Sequence, residues 1–363
     1  MKQSLSLTEL AIEIERQRNA KHDYIADTRS LKVEPDREGF PAVVIPEHGA
    51  FRLNNHARRQ LADKLGIPFQ YFQRLETDHP ALLATNVNTL FQREPARYMV
   101  RTLDEQARGF LSDRYRPLDN YDLADAVLPQ LRASGAEVES CAITETKMYI
   151  KARCPWLARE LPVPPGLKMG EGHTFFVRKI EGALSISNSE VGAGMISIAP
   201  AIFERQCTNL AVFRDEGFGR VHVGKKINGD DPVMAYLTDE TKRLDDAVVW
   251  AKVRDVVKAA LDGRAMQAIV ERMEAARGEP ITGDPIKVVE VAGRRLGLSE
   301  QERGGLLRHL VGSGEMTRYG MQWAVTRLAG DAEDYDRASE LERAGGQVIE
   351  LAANDWERIA EAA

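Results

Sequence analysis

The sequence predicts an α+β protein: a central antiparallel sheet with helices on one face, preceded by a mainly helical N-terminal part and followed by a helical C-terminal part. Three observations predict it. Between residues 97 and 199, apolar and polar residues alternate in short runs interrupted by one long helical stretch. Beyond residue 233 the helical period takes over almost completely. The charge changes at the same place, being zero over 1–90, +2 over 91–226 and −8 over 227–363, which makes up the −6 of the whole chain. The divisions that follow are 1–92, 93–226 and an acidic 227–363.

Residues 40–53 read as two extended pieces around the turn Pro46-Glu47-His48-Gly49. In NNHARRQLADKLGIPFQYFQRL, Asn54 or Asn55 caps a helix and Leu61, Leu65, Phe69 and Phe72 keep helical spacing across the break at Gly66-Ile67-Pro68. A further helix is expected over about 80–92, then strands at 97–103 and 109–116. DNYDLADAVLPQLRASG is a helix with the stripe Leu123, Val127, Leu131 and a closing Gly135. A hairpin over 136–143 and 145–153 follows, then the Pro-rich stretch Pro155 to Pro165 and strands at 174–180, 183–188 and 194–199. Pro200 is expected to open a helix. In the last third, Val249, Val253, Val256 and Ala260 form one stripe closed by Gly263, and more helices are expected near 264–277, 285–297, 299–312, 317–329 and 333–345.

A chain of 363 residues is long enough for about two domains and needs neither disulfides nor a structural metal to hold its core. No apolar run approaches the roughly 20 residues that span a bilayer. Glu9, Glu13 and Glu15 break the opening segment, which is not the pattern of a secretory signal. Three cysteines, an odd number, fit a reducing cytoplasm. Phosphate-loop, dinucleotide-fingerprint, HExxH, CxxC and GxSxG patterns are all missing, so no cofactor, metal or catalytic residue is expected and the chain does not read as an enzyme. Cys207 with His222 is a conceivable nucleophile and base, but a packed thiol beside a surface histidine is the favoured reading. Asp230 and Asp231 read as a solvated turn rather than a cation site.

The most informative pattern is the strand TKMYIKAR, 146–153. Alternation puts Lys147, Tyr149, Lys151 and Arg153 on one face and Met148, Ile150 and Ala152 on the other. If the apolar face closes on helices, three cations surround a ring facing solvent. That suits single-stranded nucleic acid, because cations track phosphates while a ring stacks on bases. Arg114 and Arg116, taken as alternate positions of an earlier strand, and Arg178 with Lys179 extend the surface. The turn HVGKKING adds His222, Lys225 and Lys226. An ordinary solvated strand face or hairpin tip explains the same residues. A helix-turn-helix reading of 55–76 competes with simple packing, which Phe69, Tyr71 and Phe72 favour.

SDRYRPLDNYDLADAVLPQL (112–131), SISNSEVGAGMISIAPAIFERQCTN (185–209), RVHVGKKI (220–227) and TRYGMQWAVTRLAGDAEDYDRASELERAGG (317–346) resemble the phage and plasmid-like proteins known as domain of unknown function 932. The resemblance spans about residues 55–346, and CTNLAVF departs from it where a glycine commonly follows the Asn. It implies a mobile-element protein with no assigned activity. The element order over 97–209 is also similar to single-strand annealing proteins of the RecT/Redβ type, a likeness of fold alone. Within the shared segments, Gly192 and Gly194 are expected to allow a tight connection, and Asn188, Ser189 and Glu190 to cap backbone groups there. Asp113, Arg114 and Tyr115 read equally as a sheet-edge contact or a groove lining.

The leading expectation is a cytoplasmic homo-oligomer binding single-stranded DNA without sequence preference, for strand annealing or DNA recombination. The alternative is a phage or plasmid protein-interaction or host-defence-counteracting protein whose helical tail binds a protein partner. On the first reading the acidic tail sits away from the DNA path or competes for the basic face.

Overall fold

Ser6 and Glu9 cap each other's backbone and start α1 (Leu7–Ala20). Its buried Leu10 and Ile14 dock on one sheet, and the chain then runs directly into β1 (Lys21–Asp27) of another. The computed structural model describes residues 4–162, 178–205, 209–214 and 238–362. Among these it has two sheets, each with its own core, and a helical C-terminal body.

The first sheet has six strands in the order β1-β5-β6-β4-β3-β2. Its other strands are β2 (Lys32–Pro35), β3 (Pro41–Ile45), β4 (Gly49–Leu53), β5 (Arg97–Leu103) and β6 (Gln106–Ser112). Pairing is antiparallel except between β4 and β6. Asn54 caps α2 (Asn55–Lys64), which leads to α3 (Phe69–Asp78) and α4 (Pro80–Arg93). Leu61, Phe72, Leu83, Val87 and Phe91 of these helices bury against Val43, Val100 and Phe110 of the sheet. Phe72 is a core residue and Phe69 packs beside it half-buried, as simple packing predicts, whereas Tyr71 is exposed. The expected boundary at 92/93 falls inside this sheet, because β5 and β6 pair with the N-terminal β1 and β4. The N-terminal part is mixed and mainly helical as expected, with α1–α4 outweighing the four strands that precede residue 54.

The second sheet is antiparallel, in the order β11-β10-β9-β8-β7, formed by β7 (Glu137–Ile143), β8 (Met148–Leu161), β9 (Arg178–Asn188), β10 (Ser197–Glu204) and β11 (Asn209–Val212). On one face Met148, Ile150, Leu184 and Ile186 meet α1, α5 (Asn120–Ser134) and α6 (Asp239–Ala260). Pro200 does not open a helix. It lies within β10, where its carbonyl accepts from Phe213 N at the end of the β11 ladder, a place where a missing N–H costs little.

The C-terminal helices are α7 (Arg264–Arg277), α8 (Pro285–Arg295), α9 (Glu300–Ser313), α10 (Arg318–Asp331), α11 (Tyr335–Glu350) and α12 (Ala353–Ala360). Leu306, Leu310, Met321, Leu328, Leu341 and Trp356 give α8–α12 a core of their own.

The segment 188–193 joins the two sheets. Asn188 Nδ2 donates to Leu118 O (2.7 Å) and Asn120 Oδ1 (3.0 Å). Glu190 Oε1 accepts from Asn120 N (2.7 Å), and its carbonyl accepts from Arg101 of the first sheet (2.9 Å). Val191 O accepts from Gln60 of α2 (2.8 Å). Ser189 Oγ caps Ala193 N as expected, and Gly192 has φ +79 with its Cα against Leu111. Arg108 is the extra residue of a bulge between β5 and β6, which sends its guanidinium to Glu190 Oε2 (3.4 Å).

Candidate nucleic-acid interface

Strand alternation divides β8 as the sequence predicts, with Met148, Ile150, Ala152 and Cys154 in the core shared with α5. The opposite face is not open to solvent. Tyr149 is 1% exposed and Lys151 6% exposed, because α11 lies across β7, β8 and β9. An alternating strand looks the same in sequence whether its polar half meets water or a complementary helix.

The contacts with α11 are polar. Lys151 Nζ donates to Glu342 Oε1 (2.8 Å) and sits 4.4 Å above the Tyr335 ring. The Tyr149 ring lies 5.2 Å from the Tyr335 ring, tilted 43° to it, and the Tyr335 hydroxyl meets Ser140 Oγ at 2.9 Å. Asp336 accepts from Thr144 (2.9 Å) and Thr146 (2.7 Å), and Arg343 donates to Ser187 Oγ (3.2 Å). Burial, with the Asp336 charge behind it, pushes the Tyr149 hydroxyl far above its ordinary value. Tyr335 is raised chiefly by burial.

Arg153 continues the stripe, held by Glu139 (2.6 Å), Glu137 (2.9 Å) and Glu181 (3.0 Å) and lying 5.2 Å from the Phe203 ring. Burial alone would lower its guanidinium, but Glu139 and Glu181 outweigh that and hold it above its usual value. Ser185 and Ser187 of β9 stand opposite Lys151 and Tyr149.

The remaining expected residues do not converge here. Alternation along β9 puts Arg178 on the other face from Ser185 and Ser187, where it meets Glu204 (2.9 Å), Glu315 (3.6 Å) and the Trp323 ring. Lys179 is exposed, 3.9 Å from Glu160. β6 ends at Ser112, so Arg114 and Arg116 are not strand positions; Arg114 is exposed and Arg116 pairs with Asp245 (2.9 Å) and Asp246 (2.6 Å) of α6. Lys147 is half-buried in the turn before β8, its stem beside Gly194. His222, Lys225, Lys226, Cys207, Asp230 and Asp231 lie outside the described residues. Cys141 and Cys154 are buried thiols pushed up to about 11 and about 12 by desolvation.

Sequence reasoning missed the partners on α11: Tyr335, Asp336, Glu342 and Arg343. A signal was present, since Glu342 stands among Ala338, Leu341 and Gly345 on a stripe that is otherwise apolar or small. It also missed a buried network of balanced charge, in which Arg101, Arg108 and Lys21 face Asp23, Asp119 and Glu190. Beside it a cleft of about 690 Å³ is lined by Gln17, Asn54, Asp104, Glu105, Arg108 and Glu145. Its lining sets three carboxylates against one guanidinium.

Fold and site together define an α+β protein with two sheets, whose basic-aromatic strand face is covered by its own helix. No family model, curated protein or solved structure matches the chain. The likeness read from 112–131, 185–209, 220–227 and 317–346 therefore rests on those residues alone. Among the described residues, no helix is long and apolar enough to cross a membrane.

Proposed function

We propose that the protein binds single-stranded DNA without sequence preference through the β7–β9 face, for strand annealing or recombination on a phage or plasmid-like element. The observation that supports this reading is the manner of closure. Lys151 is held under α11 by the Glu342 carboxylate and Thr144 and Thr146 by Asp336, while Tyr149 packs on the Tyr335 ring, so the closure is largely polar. Groups that satisfy a carboxylate also satisfy a phosphate.

On this reading Lys151 and Arg153 hold phosphates, and the Ser185 and Ser187 hydroxyls add donors. Tyr149 stacks on a base, a contact worth about 1–3 kcal/mol. The protein makes and breaks no bond, and acts in the cytoplasm as a homo-oligomer. Arg178 and Arg116 drop out of the proposed surface, one for its face and the other for its partners on α6.

Fluorescence anisotropy with labelled oligo-dT and a matched duplex tests the reading. The single strand should bind better, with log affinity falling against log salt by about 0.7 per phosphate neutralised. A folded sample that ignores oligo-dT at low salt ends the proposal. The alternative, a protein-interaction or host-defence-counteracting role without nucleic acid, would then lead.

A further inference from the structure

The two halves of α11 hold the second sheet differently. Toward its C-terminal end, Ile349 shares an apolar cluster with Ile202, Ala211 and Phe213. Gly346 lies against β11, and a Cβ there would come within 2.0 Å of Val212 O. Toward its N-terminal end the contacts are the ion pair, hydroxyls and a tilted tyrosine pair over Ser140, Thr144, Thr146, Tyr149, Lys151 and Ser187. One end is an apolar joint, and the other is held mainly by polar contacts around the Tyr149–Tyr335 pair.

On its other side the helix belongs to the α8–α12 core. Ala338 and Leu341 of the polar half pack into that core, so lifting this half carries the neighbouring helices with it.

We infer that α11 is an intramolecular competitor. Its 335–343 half lifts from the β7–β9 face about the joint at Gly346 and Ile349, and the phosphates of a single strand replace Asp336 on Thr144 and Thr146 and Glu342 on Lys151. This rests on the nucleic-acid reading above and adds its regulation. Affinity for the strand is then reduced by the fraction of molecules that are open.

Hydrogen exchange read by mass spectrometry on the whole chain, with and without oligo-dT, tests this beside anisotropy of the double variant Asp336→Asn, Glu342→Gln. Removing the competing charges should raise oligo-dT affinity about tenfold and speed exchange over 335–343. In the wild type, oligo-dT should speed exchange over 335–343 while slowing it over 148–152. Equal affinity of both proteins, with 335–343 equally protected throughout, overturns the competitor and leaves the binding reading standing. Faster exchange in the variant without binding by either protein sinks the binding reading and leaves only the hinge. Should the variant not fold, the wild-type exchange comparison decides alone.

Discussion

Lys151 Nζ stands 2.8 and 2.6 Å from the two carboxylate oxygens of Glu342, and both side chains are buried. Burying two ions costs several kcal/mol of lost hydration, so the pair adds little net stability, but either ion left alone is expensive. Glu342→Leu by itself should destabilise by about 3–5 kcal/mol. Lys151→Met with Glu342→Leu should recover most of that loss. Urea unfolding of the two single variants and the double variant checks this, and additive losses would contradict the pairing.

The connector between the sheets should be as sensitive as a core. Glu190→Gln keeps an acceptor for Asn120 N but leaves Arg108 short of its countercharge, and should cost about 3 kcal/mol. Gly192→Ala puts a side chain at φ +79, with its Cβ 2.7 Å from Leu111, and should cost more than about 1 kcal/mol. Gly194→Ala meets only the flexible Lys147 stem at 3.4 Å and should stay within about 0.5 kcal/mol of wild type. Shifts of the urea midpoint rank the three.

A pH-dependent contribution is expected from Glu302 in the first turn of α9. The hydrogen bonds from Arg337 hold its carboxyl at about 2, below the ordinary 4.5. A lowered acid stabilises the fold above its unfolded value and loses that contribution as pH falls from about 4.5 through about 2. Glu302→Gln should therefore melt below wild type at pH 7, with the gap closing by pH 2. Thermal unfolding at both pH values checks it, and a gap that persists in acid would contradict the pairing.

Cys141 and Cys154 should be inert in the native protein. Both are buried, and their thiols, pushed up to about 11 and about 12, stay protonated at pH 8. A thiol reagent should label at most one of the three cysteines before unfolding and all three afterwards. Rapid labelling of two or more in the folded state would place the sheet core elsewhere.

Much of the fold was legible in local chemistry. The helix expected over 264–277 is found at those bounds, and Ser299 with Glu302 makes the capping box that starts α9. β1 went unread because its burial follows no clean alternation, with Tyr24, Ala26 and Asp27 partly covered and the rest mostly exposed. Pro200 misled because a proline opens helices and also ends ladders, and only the partner strand decides. The candidate site shows the sharper limit. Tyr149, Lys151 and Arg153 do share a face, as period-two alternation requires. What covers that face is set some 190 residues later by Tyr335, Asp336 and Glu342, and no local pattern specifies that pairing.

Ultraviolet crosslinking of oligo-dT to the full chain, with the attachment sites mapped by mass spectrometry, tests the central claim most directly. Crosslinks should concentrate in 147–153 and 183–187, on the face that carries Tyr149 and Lys151. A folded protein that yields none, or yields them only on the first sheet or on α8 and α9, would contradict the account.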